Sequence, residues 1–233
     1  MKIDGIDIRK FNAKQLTVDI QPPKIAVENE WIDGAPVPLE FETFIKAGTL
    51  KLSILFRGDS RSQIVRNVSN FMALLTHGVV MQLDGYKGYY TGKLTDDSLS
   101  KTIVKTRYTV NLTFAGYMID DEIKNTYIDK DTAQFDVLGT RDAPCIVEIT
   151  PTVDMSEYRI DGFGDDPIII KNLEAGKKII IDGAAGTATQ DGVNKFADVD
   201  LWDFPKLTHG QKYVLNFSSN KCVVVMRYNP MWI

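Results

Sequence analysis

Ser60 is the first residue in this chain whose type and setting could do chemistry. It closes the triplet Gly58-Asp59-Ser60, between an apolar run and a helical pattern. A hydroxyl at such a turn acts as a nucleophile only if a base takes its proton. The chain has two histidines, His77 and His209, and neither stands in an Asp-x-x-His pairing. The same serine opens an S-x-x-Q spacing with Gln63, in which the hydroxyl accepts from an orphan helix N–H and the amide reaches back. The triplet therefore reads as a helix cap rather than a hydrolase site. Asp161, Asp165 and Asp166 put three carboxylates in one short loop, the donor type hard cations take. The regular D-x-D-x-D-G alternation and a distant Glu are missing, so this reads as a solvated turn. Asp96-Asp97 and Asp120-Asp121 fall at predicted turns, where Asp bonds local backbone.

Cys145 and Cys222 lack metal-ligand spacing and read as buried reduced thiols or as one bridge within a domain. There is no P-loop, dinucleotide-binding glycine fingerprint or zinc spacing. The expectation is no catalytic set, no metal and no cofactor. Trp202, Phe204, Tyr228 and Trp232 crowd the C-terminal part. Such rings can stack on sugars, or close a core. Trp202, Phe204 and Trp232 are the candidate carbohydrate or partner contacts.

The elements that must position these residues are mostly strands. Leu50–Phe56 is partly alternating, and from Ser60 the residues Ile64, Val65, Val68, Phe71, Met72 and Leu75 recur at three and four, one apolar stripe of a helix over about 60–76. Gly78 is placed to end it in a left-handed conformation. Val79–Leu83 returns as a strand. Before this element, Lys24–Trp31 and Val37–Phe44 flank Asp33-Gly34, a strong hairpin signal, with Pro36 and Pro38 pointing to an edge. Trp31, near the tip, is either a core plug or a contact for another subunit. After it come Tyr86–Leu94 and a long strand, Ser100–Tyr117, with Thr102, Val104, Thr106, Tyr108, Val110, Leu112 and Phe114 on one parity.

Ile119–Gln134 is polar without a clear period and reads as a linker or short helix. Beyond it, seven short strands at roughly ten-residue spacing signal a β-sandwich or jelly roll. They lie around Cys145–Ile149, Glu157–Ile160, Pro167–Lys171, Lys178–Ile181, Val199–Trp202, Gln211–Phe217 and Cys222–Tyr228. Continuous isoleucine runs imply strands covered on both faces. The predicted fold is mainly β with one main helix. A β-rich domain over 1–135 precedes a sandwich over 136–233.

Of 233 residues, 44% are hydrophobic and 25% charged, ordinary for a soluble globular protein, and the net charge is −4. No basic block supports nucleic-acid gripping. The start Met1-Lys2-Ile3-Asp4-Gly5 is not that of a signal peptide, and no apolar run reaches the ~20 residues a bilayer needs. Synthesis in a bacterial-type cytoplasm without export is expected.

The order of these parts resembles a known family. Strand, Gly58-Asp59-Ser60, helix and strand are followed by a long strand ending in Phe114-Ala115-Gly116-Tyr117. The run Trp202-Asp203-Phe204-Pro205-Lys206-Leu207 to Phe217 is similar to the family's W-x-F-P-x-L-x-x-G-x-N-x-I-x-F stretch, with Lys212 where Asn is frequent. Arg227–Trp232 is similar to its aromatic terminal strand. The family is the distal tail proteins of long-tailed phages with non-contractile tails. The resemblance implies an N-terminal ring-forming domain and a C-terminal galectin-like sandwich, and six copies in a ring at the virion's tail tip. The implied partners are the major tail tube protein on one side and a tail-associated lysin, tail fibre or receptor-binding protein on the other. DNA passes without specific binding, no membrane is involved, and assembly occurs in the bacterial host cytoplasm. A ring needs a closing heterologous interface. Trp31, Ile32, Pro36, Tyr89 and Tyr90 are its candidate residues. A carbohydrate-binding module contacting the host cell wall is the alternative.

Overall fold

The computed structural model describes residues 1–34, 36–101 and 106–232, the side chain of Lys101 excepted. Thr102, Val104 and Lys105 of the expected long strand, Ala35 of the hairpin and Ile233 lie outside the described residues. Two units emerge, Met1–Ile119 and Asp120–Trp232.

The first unit has strands β1 (Lys2–Ile3), β2 (Ile6–Asp7), β3 (Ala13–Gln21), β4 (Ile25–Glu30), β5 (Leu39–Ile45), β6 (Gly48–Arg57), β7 (Val79–Gln82), β8 (Tyr89–Lys101) and β9 (Arg107–Ile119), with helix α1 (Arg61–Met72) after β6. Seven of them pair antiparallel in the order β2-β1-β7-β8-β9-β6-β3. Alternation decides the faces. Tyr108, Val110, Leu112 and Phe114 of β9 and Leu50, Leu52, Ile54 and Phe56 of β6 are all buried on one side. The helix covers that side. Its Phe71 meets Phe56 edge-on at 5.3 Å and Phe11 at 5.9 Å, beside buried Ile64 and Leu75.

Ser60 holds extended backbone and its hydroxyl accepts from the Gln63 N–H at 3.2 Å, while the Gln63 amide oxygen accepts from the Asp59 N–H at 2.8 Å. That is the expected reciprocal cap. Two details of the helix differ from expectation. Val65 is 54% exposed rather than on the apolar stripe, because Ile64 and Val68 already fill the core side. The helix ends in a 3-10 turn, Ala73–Leu75, and Gly78 takes no left-handed φ. Asp96-Asp97 is no turn either. A register shift between Leu94 and Asp96 absorbs one residue, and β8 runs on with Asp96 opposite Thr113 and Asp97 opposite Leu112. Ser100 therefore belongs to β8, and the expected long strand begins only at Arg107.

In the second unit the stretch read as linker or short helix is two strands, β10 (Ile123–Tyr127) and β11 (Thr132–Asp136). Both strands lie in the compact unit Asp120–Trp232. The remaining strands used here are β12 (Ala143–Pro144), β13 (Ile146–Pro151), β14 (Met155–Asp161), β15 (Ile168–Leu173), β16 (Ile179–Asp182), β17 (Thr187–Gln190), β18 (Val193–Asn194), β19 (Val199–Asp200), β20 (Lys206–Leu207), β21 (Lys212–Phe217) and β22 (Cys222–Tyr228). One sheet runs β10-β22-β13-β16-β17-β18 and the other β11-β21-β14-β15-β19, with β12-β20 as a small ladder. Val147, Ile149, Ile179, Ile181, Val224 and Met226 are buried on the first, and Tyr158, Ile160, Ile168, Ile170, Leu215 and Phe217 on the second. Tyr127 and Phe217 meet between the sheets at 6.2 Å. Ile169 and Ile180 are half-buried on the outer faces, so these strands are covered on one side only.

Candidate functional site

Among the described residues, strands β4 and β5 form an arm that pairs only with itself. Pairing sets Ile25, Val27, Thr43 and Ile45 on one face and Ala26, Glu28, Glu42 and Phe44 on the other. Neither face finds a core. Trp31 is 66% and Phe41 63% exposed, and Ile25, Val27, Ile32, Val37, Leu39 and Phe44 are exposed too. A two-stranded hairpin is marginal in water by itself, and this one carries unburied apolar rings and two open edges. Glu28 stands directly opposite Glu42, a pairing that destabilises a ladder.

Other strand edges are open in this unit. β3 pairs only with β6, and β7 covers β8 only from Tyr90 to Gly92. From Lys93 onward β8 presents an edge unpaired among the described residues, and it carries exposed Asp96, Asp97 and Leu99.

Of the residues singled out for an interface, Trp31, Ile32 and Pro36 are exposed on or near the arm tip. Tyr89 is half-buried. Tyr90 is a correction: it is 1% exposed, and its hydroxyl donates to the Gly48 carbonyl at 3.2 Å. Strand alternation sends it inward where its neighbour points outward. Burial pushes its pKa up to about 12. Tyr90 thus covers a crossing at which Gly92, Gly116 and Gly48 lie side by side on β8, β9 and β6.

In the second unit Trp202 is 84% exposed. It lines a cavity of about 500 Å³ with Phe163, Asp165, Asp166, Phe204 and Lys206. Phe204 is half-buried and stacks on Phe196 at 6.0 Å. Trp232 does not join them. Its indole N–H donates to Asp120 Oδ2 at 2.8 Å.

The nucleophile and metal readings find other partners. The Ser60 hydroxyl serves the cap, His77 lies 3.6 Å from Asp4, and His209 Nδ1 lies 2.9 Å from Asp142. Asp161 is held by Arg159, whose hydrogen bond keeps its carboxyl below the usual range. Among the described residues no three His, Cys, Asp or Glu side chains gather as metal ligands, and no helix is long and apolar enough to cross a membrane. Cys145 and Cys222 are free and buried, so the bridge is absent, and burial pushes each thiol up to about 12. Such thiols are inert.

One charged site escaped the sequence reading. Glu148 is buried on β13 between Lys178 Nζ at 2.7 Å and an Arg227 guanidinium nitrogen at 2.6 Å. Burial pushes its carboxyl up, but the Lys178 hydrogen bond and the Arg227 charge outweigh that and hold it below the ordinary value. The exposed Phe41 and Phe44 of β5 escaped it also, although a signal was there: they lie three residues apart and so on opposite parities of one strand.

Residues 138–232 match the family model of the siphovirus-type tail component, C-terminal domain. Comparison with curated proteins gives no match. Among solved structures the chain is similar to the Dit protein (gp 19.1) of phage SPP1, described as a paradigm of the hub adsorption apparatus in phages infecting Gram-positive hosts. The two are 11% identical with a TM-score of 0.81 over 99% of this chain and 98% of that one. It is also similar to a chain of the phage P2 baseplate in its activated conformation with Ca, at 13% identity and a TM-score of 0.55 over 96% and 92%. The same baseplate with Sr gives 14% identity and 0.53 over 95% and 92%. Residues 138–232 thus match the siphovirus-type tail component, C-terminal domain, and over 99% of its length the chain has a fold similar to that of the SPP1 Dit protein.

Proposed function

We propose that this chain is a structural hub of a phage tail tip and not an enzyme. Its first unit closes with five further copies into a ring. The ring joins the major tail tube protein to a tail-associated lysin, tail fibre or receptor-binding protein and encloses the DNA path. The second unit, a galectin-like sandwich, is the other module of this hub. The observation that carries the reading is the β4–β5 arm, which among the described residues pairs with nothing but itself while exposing Trp31 and Phe41. A neighbouring copy that buries it removes both an apolar surface and open edges. The unpaired stretch of β8 fits the same role, and its Asp96 and Asp97 suit a passage that must not retain DNA. Light scattering at high protein concentration tests this. A closed oligomer is expected, and a strictly monomeric chain would sink the reading.

A second reading rests on Trp202. An aromatic face 84% exposed, in a cavity that also holds Asp165, Asp166 and Lys206, has the composition of a sugar platform. A glycan array on the full chain and on Trp202→Ala tests it. Binding lost in the variant favours this reading, and no binding by either leaves the sandwich a scaffold.

A further inference from the structure

The first unit divides its charge unevenly. Residues 25–45, the arm, hold five Asp and Glu (Glu28, Glu30, Asp33, Glu40, Glu42) and no Lys or Arg. The rest of residues 1–119 holds fifteen Lys and Arg against seven Asp and Glu. None of the five arm carboxylates makes an ion pair among the described residues. The Glu28–Glu42 opposition is left without a neutralising cation.

A basic surface of matching kind lies on the same unit. Arg61 and Arg66 are exposed on the outer side of α1, with Val65 between them and Ser62, Ser69 and Ala73 around them. Arg57 and Lys14 line a cavity of about 810 Å³ at the N-terminal end of this helix, with Asp59 as its one carboxylate. None of Lys14, Arg57, Arg61 and Arg66 is in an ion pair among the described residues. The small residues let another backbone approach, and Val65 offers an apolar centre. Arg61 and Arg66 are about 7.5 Å apart along the axis, within reach of two carboxylates whose Cβ atoms are about 5 Å apart.

We propose that the arm of one copy docks on the α1 face of the next copy, its Glu28 and Glu42 meeting Arg61 and Arg66 around Val65. This rests on the ring reading above and adds which surface receives the arm. The contact is heterologous, arm to helix, as a closed cyclic assembly requires. The charge split also gives steering, because like surfaces repel and only arm-to-helix encounters attract.

Charge reversal tests the pairing. Glu28→Lys with Glu42→Lys keeps a like-charged pair across the ladder, so the hairpin's own strain is unchanged. Arg61→Glu puts an acid in the first helical turn, which the helix tolerates well, and Arg66→Glu is on an exposed face. Circular dichroism melts check that each chain folds. Each double reversal alone is expected to weaken assembly by more than about tenfold, and the chain carrying all four changes is expected to assemble again. Reversals that assemble like the wild type overturn the pairing while the ring stands. Loss without rescue in the four-fold variant overturns it too. A wild type that stays monomeric overturns the ring reading and the pairing with it.

Discussion

Replacing Trp31 and Phe41 by serine should separate assembly from folding. Both side chains stand on the arm, at 66% and 63% exposure. A tryptophan covers about 150–250 Å², so Trp31 leaves about 100–165 Å² of surface for a neighbour to bury. At about 25 cal/mol per Å² that is about 2.5–4 kcal/mol at most, or a weakening of about 60- to 700-fold in association for that residue alone. The monomer should hardly notice. Substitutions away from a core lie within about 0.5 kcal/mol. A dilution series followed by light scattering reads the first effect and a thermal melt of the dilute chain reads the second. Assembly unchanged in Trp31→Ser/Phe41→Ser would refute the reasoning. So would a fall in melting temperature large enough to account for the loss.

Further outcomes follow from the geometry. Gly116→Ala drives a Cβ into the Thr91 carbonyl oxygen on the adjacent backbone. It should destabilise the first unit by about 1–3 kcal/mol, read as a lowered urea midpoint. Glu148→Gln should destabilise the second unit by about 1–3 kcal/mol. Its carboxyl is held below the ordinary value in the folded chain. That contribution is therefore present above about pH 4.3 and lost as pH falls through the depressed folded value. The variant should thus show a flatter acid limb in unfolding monitored against pH. Ser60→Ala should cost about 0.5–2 kcal/mol through the lost cap and leave hydrolysis of ester substrates at background.

The sequence carried the local devices well. Ser60 with Gln63 announced the cap, and the even parity of Tyr108–Phe114 announced the buried face of β9, because both signals are complete within a dozen residues. Long-range pairing was less legible. The polar, aperiodic run Ile119–Gln134 reads as a linker or short helix, yet Ile123 pairs with Tyr228 and Thr132 with Asn216. An edge strand needs few apolar residues when its partner lies a hundred positions away. Asp96-Asp97 mimicked a turn because a bulge let β8 carry two acids on an unpaired edge. The neighbours Tyr89 and Tyr90 could not be separated without register, and one of them proved to be core. Glu148 meets Lys178 thirty residues on, through the β13–β16 pairing, which no spacing rule marks.

The arm is the feature whose meaning depends most on other molecules. Among the described residues of its two strands none is fully buried, and Val27, Leu39, Phe41 and Phe44 stand exposed. Imaging the purified protein by electron microscopy tests this most directly. Six-fold rings with a central hole, in which no arm stands free, are expected. Single particles of one chain's size at high concentration, with no ring, would contradict it.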